Sequence, residues 1–194
     1  DKKVSDKIRI FWAGGHSHVK DMDIFGNAIS YKQKLLTHKD KIEMVLGGYN
    51  ESAKGIWDNM LESFTMGGRL SHRILKSETA LTYMQMYEDA DIVIIPLEKS
   101  EWHRGKSNLK ILEAASKKIP AIVSDTEPYS NDKNMPVLWV NSQKDWFDHL
   151  DYLIKTPAAR VELGNKLYEW AVMHYNMKDI NNERLLAFKS LLNE

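Results

Sequence analysis

The sequence contains no cysteine, which excludes disulfide bonds, cysteine nucleophiles and thiolate metal ligands. Its 27 basic and 27 acidic residues give no formal net charge, so binding to nucleic acid by phosphate neutralisation is not expected. No stretch approaches the roughly 18 apolar residues of a membrane-spanning helix, so no membrane-spanning segment is expected. The lack of cysteine fits a reducing compartment, and we expect the protein in the cytoplasm.

The first seven residues are mostly charged and polar, so they contain no apolar signal-peptide core. They also lack an initiator methionine, from which we expect a piece of a longer protein. The length of 194 residues, with 43% hydrophobic and 28% charged residues, is typical of one globular domain.

Short β-rich segments alternate with segments of helical spacing along the chain. Strands are predicted at residues 8–13, 42–46, 92–97, 119–123 and 137–140, and residues 70–75 form either a strand or an irregular link. Helices are predicted at residues 21–37, 56–64, 77–88, 108–118, 143–155, 158–177 and 179–192. This alternation predicts an α/β fold, a single Rossmann-like domain with a doubly wound parallel sheet.

Ligands of doubly wound sheets bind beyond the carboxyl ends of the strands. The loops expected there are residues 14–20, 47–51, 98–108 and 124–129, all of which follow predicted strands.

One of these loops leads through Gly105, Lys106 and Ser107 into a predicted helix. The free N–H groups and the positive dipole end of a helix N-terminus favour a phosphate, and Lys106 adds a charge. Glu113, further along the helix, has a carboxylate that accepts two hydrogen bonds from a vicinal diol such as a ribose. The alternative is a capped helix with a solvated lysine and glutamate.

Residues 105–129 resemble the nucleotide-sugar-binding segment of GT-B glycosyltransferases, in particular those of family 4, group 1. The resemblance rests on Glu113-Ala114-Ala115, on Lys118-Ile119-Pro120, where Lys118 replaces the usual glycine, and on Pro128-Tyr129. It covers nearly the whole chain as the C-terminal half of a two-domain enzyme. It implies a donor-binding domain at residues 1–178, and a C-terminal helix at residues 179–194 that packs toward a missing N-terminal, acceptor-binding domain.

The resemblance also implies roles for individual residues. Glu113 matches the residue that binds the donor ribose. The donor diphosphate would be bound at Gly14, Gly15, Lys20, Gly105, Lys106, Ser107 and Asn108. Contacts with the sugar or the acceptor are expected from His18, Glu98, Glu101 and Trp102. No catalytic residue is assigned.

The chain departs from the family pattern at one informative position. The family carries a second acidic residue eight positions before the ribose-binding glutamate, and that position is Gly105 here. Glu98 and Glu101 lie in the same loop but out of register. Trp102, also in this loop, either stacks on a sugar or acceptor or packs beneath the loop.

No metal or cofactor is expected. His16 and His18 have metal-ligand residue types, but the sequence places no third ligand beside them, and enzymes of this family need no bound metal.

The function implied by the resemblance is transfer of a sugar, with retention, from a nucleoside-diphosphate sugar such as a UDP-sugar. Two alternatives remain open: a non-catalytic nucleotide-sugar-binding module and a nucleotide-sugar epimerase of the same architecture. A flavodoxin-like or receiver fold is a third possibility for the fold, but the acidic cluster of a receiver is absent.

Overall fold

The computed structural model describes residues 6–26 and 29–192. Predictions for residues 1–5, for residues 27 and 28, and for the last two residues of the expected C-terminal helix, 193 and 194, lie outside this part of the chain. The strands are β1 Ile8–Ala13, β2 Ile42–Tyr49, β3 His72–Lys76, β4 Ile92–Ile95, β5 Ala121–Ser124 and β6 Leu138–Val140. The α-helices are α1 Val19–Gly26, α2 Ile29–Leu36, α3 Lys54–Thr65, α4 Leu109–Ser116, α5 Gln143–Lys155, α6 Pro157–His174 and α7 Met177–Leu192.

The six strands form one parallel sheet in the order β3-β2-β1-β4-β5-β6. The chain winds outward from β1 to β3, returns to the other side of β1 as β4, and then continues to β6. This confirms the predicted doubly wound α/β fold. The strand order reverses between β1 and β4, and the loops beyond their carboxyl ends therefore diverge and leave a crevice.

Alternating side chains of β1 build the core on both faces of the sheet. Ile10 and Trp12 belong to an apolar cluster on one face, together with Phe25 and Trp57. Phe11 points to the other face, where it joins a second cluster that contains side chains of α4 and α6. The side-chain period of two in a strand explains why the run at residues 8–13 is almost continuously apolar.

Two predictions of local structure were inaccurate. The predicted helix at residues 77–88 is instead a turn followed by a 3₁₀ segment, Tyr83–Asp89, and Leu81 is 95% exposed. The predicted helix at residues 21–37 comprises two helices, α1 and α2. The ambiguous residues 70–75 include most of β3, an edge strand whose side chains alternate in burial.

Helix α4 ends in a turn at Lys118, the position where the motif that this segment resembles has glycine. Lys118 has φ +56°, in the left-handed region that suits glycine. The N–H of Ile119 donates to the carbonyl of Ala114 at 3.0 Å, which closes the helix. Helix α6 packs directly against this turn, since a Cβ on Gly164 would lie 2.0 Å from the Lys118 carbonyl oxygen.

Helix α7 contributes no buried side chain to the domain. Its exposed apolar residues include Leu185, Leu186, Phe188, Leu191 and Leu192. No helix in the described part of the chain is long and apolar enough to cross a membrane.

Candidate functional site

The loops that follow β1 and β4 are joined by one buried carboxylate, that of Asp21 in α1. Asp21 is 1% exposed. Its Oδ2 accepts a hydrogen bond of 2.5 Å from Nδ1 of His18, in the loop after β1. Its Oδ1 accepts the backbone N–H of Glu98, in the loop after β4, at 2.7 Å. Asp21 therefore links the two sides of the crevice.

The surroundings of Asp21 keep it ionised. Burial raises the pKa of this carboxyl, but the hydrogen bonds from His18 and from the Glu98 N–H, with the charges of His18 and His103, outweigh burial and lower its pKa. Nδ1 of His103 lies 3.7 Å from Oδ1 of Asp21 and donates to the Glu98 carbonyl at 2.7 Å. Because Nδ1 of His18 is held by Asp21, Nε2 is the atom that His18 can offer to a ligand.

The N-terminus of α4 lies at the same end of the sheet, after the loop that follows β4. In residues 6–26 and 29–192, no acceptor pairs with the N–H groups of Ser107, Asn108, Leu109 and Lys110. The Asn108 side chain does not cap the helix, because its Nδ2 donates to the Tyr175 hydroxyl at 2.6 Å. The positive end of the helix dipole is thus open to an anion.

Glu113 is held from the side by two tyrosines that precede β4. The Tyr83 hydroxyl donates to its Oε1 at 2.8 Å, and the Tyr87 hydroxyl donates to its Oε2 at 2.5 Å. Glu113 is 9% exposed. An ionised carboxylate accepts about four hydrogen bonds. Each oxygen of Glu113 therefore retains capacity for one further donor.

The two tyrosines are held in their neutral, hydrogen-bond-donating form. Burial raises the pKa of both hydroxyls, and the charge of Glu113 and the hydrogen bond to it raise them further. Tyr87 is 1% exposed and Tyr83 is partly exposed. Tyr87 thus fixes the carboxylate from inside the domain, and Tyr83 fixes it from the surface.

The residues predicted after β1 differ in their surroundings. A Cβ on Gly14 would lie 2.7 Å from Cζ2 of Trp12, so the indole ring already requires glycine there. Gly15 precedes the 3₁₀ segment His16–His18, and its carbonyl accepts the His18 N–H at 3.0 Å. Lys20 is exposed and pairs with no carboxylate of the described residues.

The residues predicted after β4 are mostly at the surface. Glu98 binds Asp21 through its backbone rather than through its carboxylate. Glu101 is occupied by an ion pair of 3.2 Å with Arg104, which also pairs with Glu127 at 2.7 Å. Trp102 is 83% exposed and does not pack beneath the loop. The Cβ of an alanine at position 105 would meet no atom within 4 Å.

A polar cavity of about 610 Å³ lies beside the crevice, between the loops that follow β4 and β5. It is lined by Lys99, Ser100, Glu101, Arg104, Asp125, Thr126, Glu127 and Ser130. None of these residues belongs to the N-terminal turn of α4, so the cavity is a separate place where a polar ligand could bind.

His16 and His18 gain no third metal ligand in the structure. In residues 6–26 and 29–192, no group of three or more His, Asp or Glu side chains is arranged to hold a metal ion.

Two features of the site were missed by the sequence analysis. Tyr83 and Tyr87 contact Glu113 across 30 and 26 positions of sequence, and no local pattern indicates this contact. Lys110 also reaches the crevice, where its Nζ lies 5.5 Å from the ring centre of Trp12. Its spacing of three from Glu113 places the two on one helix face, and this signal was available.

Comparisons with known proteins give structural matches only. No protein-family model matches the chain, and no curated protein matches it significantly in sequence. The crystal structure of the C-terminal domain of a group 1 glycosyltransferase, LpcC from Francisella tularensis, matches 90% of this chain and 89% of its own, with a TM-score of 0.61 and 18% identity. This chain has the fold of a GT-B C-terminal domain.

Larger GT-B enzymes contain the same unit as part of a longer chain. Anabaena HepE, solved with UDP and glucose, matches 95% of this chain with a TM-score of 0.72 and 11% identity. The trehalose-6-phosphate synthase OtsA matches 97% with a TM-score of 0.69 and 16% identity. This chain spans 49% of the HepE structure and 44% of the OtsA structure. The fold expected from residues 105–129 is therefore confirmed.

Proposed function

We propose that this domain binds a nucleoside-diphosphate sugar, a UDP-sugar foremost, in the crevice between β1 and β4. In the intact protein it would supply the donor for transfer of the sugar, with retention, to an acceptor held by a second domain. The observation that carries the proposal is Glu113, a buried and oriented carboxylate with free acceptor capacity, on the helix whose first N–H groups have no described acceptor. HepE, which has this fold, was solved with UDP.

The chemistry of the crevice fits the two polar parts of such a donor. A ribose presents two adjacent hydroxyls, and each oxygen of Glu113 can accept one of them. A diphosphate presents several anionic oxygens, which suit the open N–H groups from Ser107 to Lys110 and the charge of Lys106. These donors are fixed by the backbone, so they would stabilise the charge of the leaving diphosphate without reorganisation.

We further propose that the reaction needs no bound metal and no cofactor. The cationic and N–H groups of α4 would provide the stabilisation of the leaving group that a metal provides in other transferases. We also propose that the protein acts in the cytoplasm. Nucleotide sugars are available there, and a domain without cysteine fits a reducing compartment.

The acceptor-binding domain is proposed to contact α7. That helix buries no side chain against the described part of this domain and exposes several leucines and Phe188. Burial of such apolar side chains against a second domain would be favourable.

A non-catalytic binding module is the second candidate, and the loop after β4 favours it. Gly105 occupies the position of the family's second acidic residue, and Glu101 is paired with Arg104. A module would bind donor without turning it over. An epimerase would convert the donor to a second sugar in the absence of acceptor.

The experiment is calorimetric titration of the protein with UDP, GDP and ADP, repeated with Glu113→Ala and with Glu162→Ala. Glu162 is an exposed carboxylate of α6 paired with Lys166, and serves as the control. We expect UDP to bind, and Glu113→Ala to weaken it about tenfold or more, equivalent to about 1.4 kcal/mol. Binding that is absent for all three nucleotides, or equal in both variants, would refute the donor site.

Activity assays on a longer chain that includes the acceptor-binding domain separate the candidates. A transferase releases UDP from a UDP-sugar only when an acceptor is present or when water acts as the acceptor. An epimerase yields a new UDP-sugar, and a binding module yields no product while its donor affinity persists.

A further inference from the structure

Lys110 reaches across the crevice from α4 to β1. Its Nζ lies 5.5 Å from the ring centre of Trp12, the fifth residue of the central strand β1. Lys110 is three residues before Glu113 in α4, so the two lie on one face of the helix, and Lys106 belongs to the loop that leads into it. The ammonium is therefore placed between the N-terminus of α4 and the carboxyl end of β1.

The ammonium of Lys110 has no hydrogen-bond acceptor in residues 6–26 and 29–192. The buried carboxylate of Asp21 accepts hydrogen bonds from His18 at Oδ2 and from the Glu98 N–H at Oδ1, but none from Lys110. The side chain is partly buried, so solvent does not fully replace a partner. An ammonium carries three donors, and leaving them unpaired at a partly buried position is unfavourable.

The charges around this ammonium are mixed. The pKa of Lys110 is lowered to about 8, because burial and the charge of Lys106 outweigh the opposing charges of Asp21 and Glu113. His18 and His103 face Asp21 from the two loops. With this pKa Lys110 is mostly protonated at pH 7, and an anion that enters the crevice would favour the protonated form further.

We propose that Lys110 is the principal cation for the donor diphosphate, and that its Nζ donates to non-bridging phosphate oxygens while the α4 N–H groups bind the same anion. This inference rests on the proposed function and adds a residue to it. Lys20, expected in this role from the family pattern, is exposed at the crevice margin and would contribute less, because solvent screens its charge.

The test compares UDP with uridine, and Lys110→Gln with Lys110→Arg. Uridine has the same base and ribose without phosphate, so it reports binding at Glu113 alone. Lys117→Gln is the control, because Lys117 lies at the other end of the same helix and pairs with Glu88. At pH 7 we expect Lys110→Gln to lower the affinity for UDP at least tenfold and to leave the weak affinity for uridine unchanged. Ligand-observed NMR measures both affinities. Lys110→Arg should retain most of the UDP affinity.

The pH dependence gives a readout that a purely structural role would not change. Deprotonation of Lys110 with a pKa of about 8 predicts that wild-type affinity for UDP falls about tenfold between pH 7 and pH 9. Lys110→Arg should show a smaller fall, since a guanidinium does not titrate in this range. Ionisation of the uracil ring affects both proteins equally and cancels in the comparison.

The outcomes separate this inference from the proposed function. Two results would show that Lys110 is not a phosphate ligand while leaving the donor site in place. Either Lys110→Gln binds UDP as tightly as wild type does, or the substitution weakens the binding of UDP and of uridine by the same factor. If wild type binds neither UDP nor inorganic pyrophosphate, both proposals fail. If Lys110→Gln does not fold, the pH profiles of wild type and Lys110→Arg decide, and identical profiles would overturn the inference.

Discussion

The buried hydroxyl of Tyr87 donates a hydrogen bond of 2.5 Å to Oε2 of Glu113, across the strand β4 that separates them in sequence. Tyr83 makes the equivalent bond to Oε1 from the surface. The two hydroxyls fix both the position and the plane of the carboxylate. A glutamate on a short helix of eight residues thus gains the orientation that binding of a diol requires.

This arrangement predicts unequal effects of removing the two hydroxyls. Tyr87→Phe leaves a buried carboxylate oxygen without a donor and should lower the free energy of unfolding by about 1–3 kcal/mol. Tyr83→Phe should cost less, because water can replace a hydroxyl at the surface. Both should weaken UDP binding several-fold. Urea denaturation and calorimetry measure the two quantities, and equal stability losses would contradict the assigned burial.

Gly105→Ala tests the approach of the ligand to the backbone. A Cβ at this position meets no protein atom within 4 Å, so the free energy of unfolding should change by no more than about 0.5 kcal/mol. If the diphosphate lies against the Gly105 backbone, the same Cβ would collide with it and UDP affinity should fall. Unchanged affinity in Gly105→Ala would remove Gly105 from the site, without affecting Glu113.

Asp21→Asn should change how stability depends on pH. The pKa of the Asp21 carboxyl is lowered on folding, so its contribution to stability is fully present above its unfolded pKa of about 4 and is lost as the pH falls through its lower folded pKa. The variant should be less stable at pH 7, and its stability should decline less steeply below pH 4. Chemical denaturation between pH 2 and pH 7 provides the measurement. Parallel profiles for the two proteins would show that Asp21 is not linked in this way.

Replacing two helical glycines by alanine should have opposite effects on stability, because only Gly164 of α6 packs against the end of α4. Gly164→Ala would place a Cβ 2.0 Å from the Lys118 carbonyl oxygen and should destabilise the domain by about 1–3 kcal/mol. Gly55→Ala in α3 is the matched control, because its Cβ would meet nothing within 4 Å. It should stabilise the domain by up to about 1 kcal/mol through helix propensity. Thermal unfolding should separate the two variants clearly, and a common sign would contradict the packing.

The central strands were predictable because their chemistry is local. Residues 92–97 are a continuous apolar run, and residues 8–13 are apolar except for Arg9, as expected of strands in a sheet that is buried on both faces. Residues 77–88 were assigned incorrectly because Leu81, Met84 and Tyr87 have a spacing of three, which a 3₁₀ segment shares with a helix. Only the fold shows that Leu81 points into solvent.

The candidate site was only partly predictable for a similar reason. Glu113 and the helix N-terminus belong to one continuous segment, and their chemistry is apparent from that segment. The tyrosines that hold Glu113 and the histidines that surround Asp21 come from different loops, which only the winding of the sheet brings together. Lys110 was predictable in part. Helical spacing indicates that it lies on the same face as Glu113, but it does not indicate that the ammonium lies near Trp12.

The central claim is that the donor diphosphate binds at the start of α4, and amide chemical-shift mapping with UDP tests it most directly. The protein labelled with ¹⁵N should show its largest shifts at Ser107, Asn108, Leu109 and Lys110, whose N–H groups are predicted to contact phosphate. The shifts should be absent with uridine. Largest shifts instead around the neighbouring cavity, at residues such as Lys99 and Asp125, or no shifts at all, would contradict the claim.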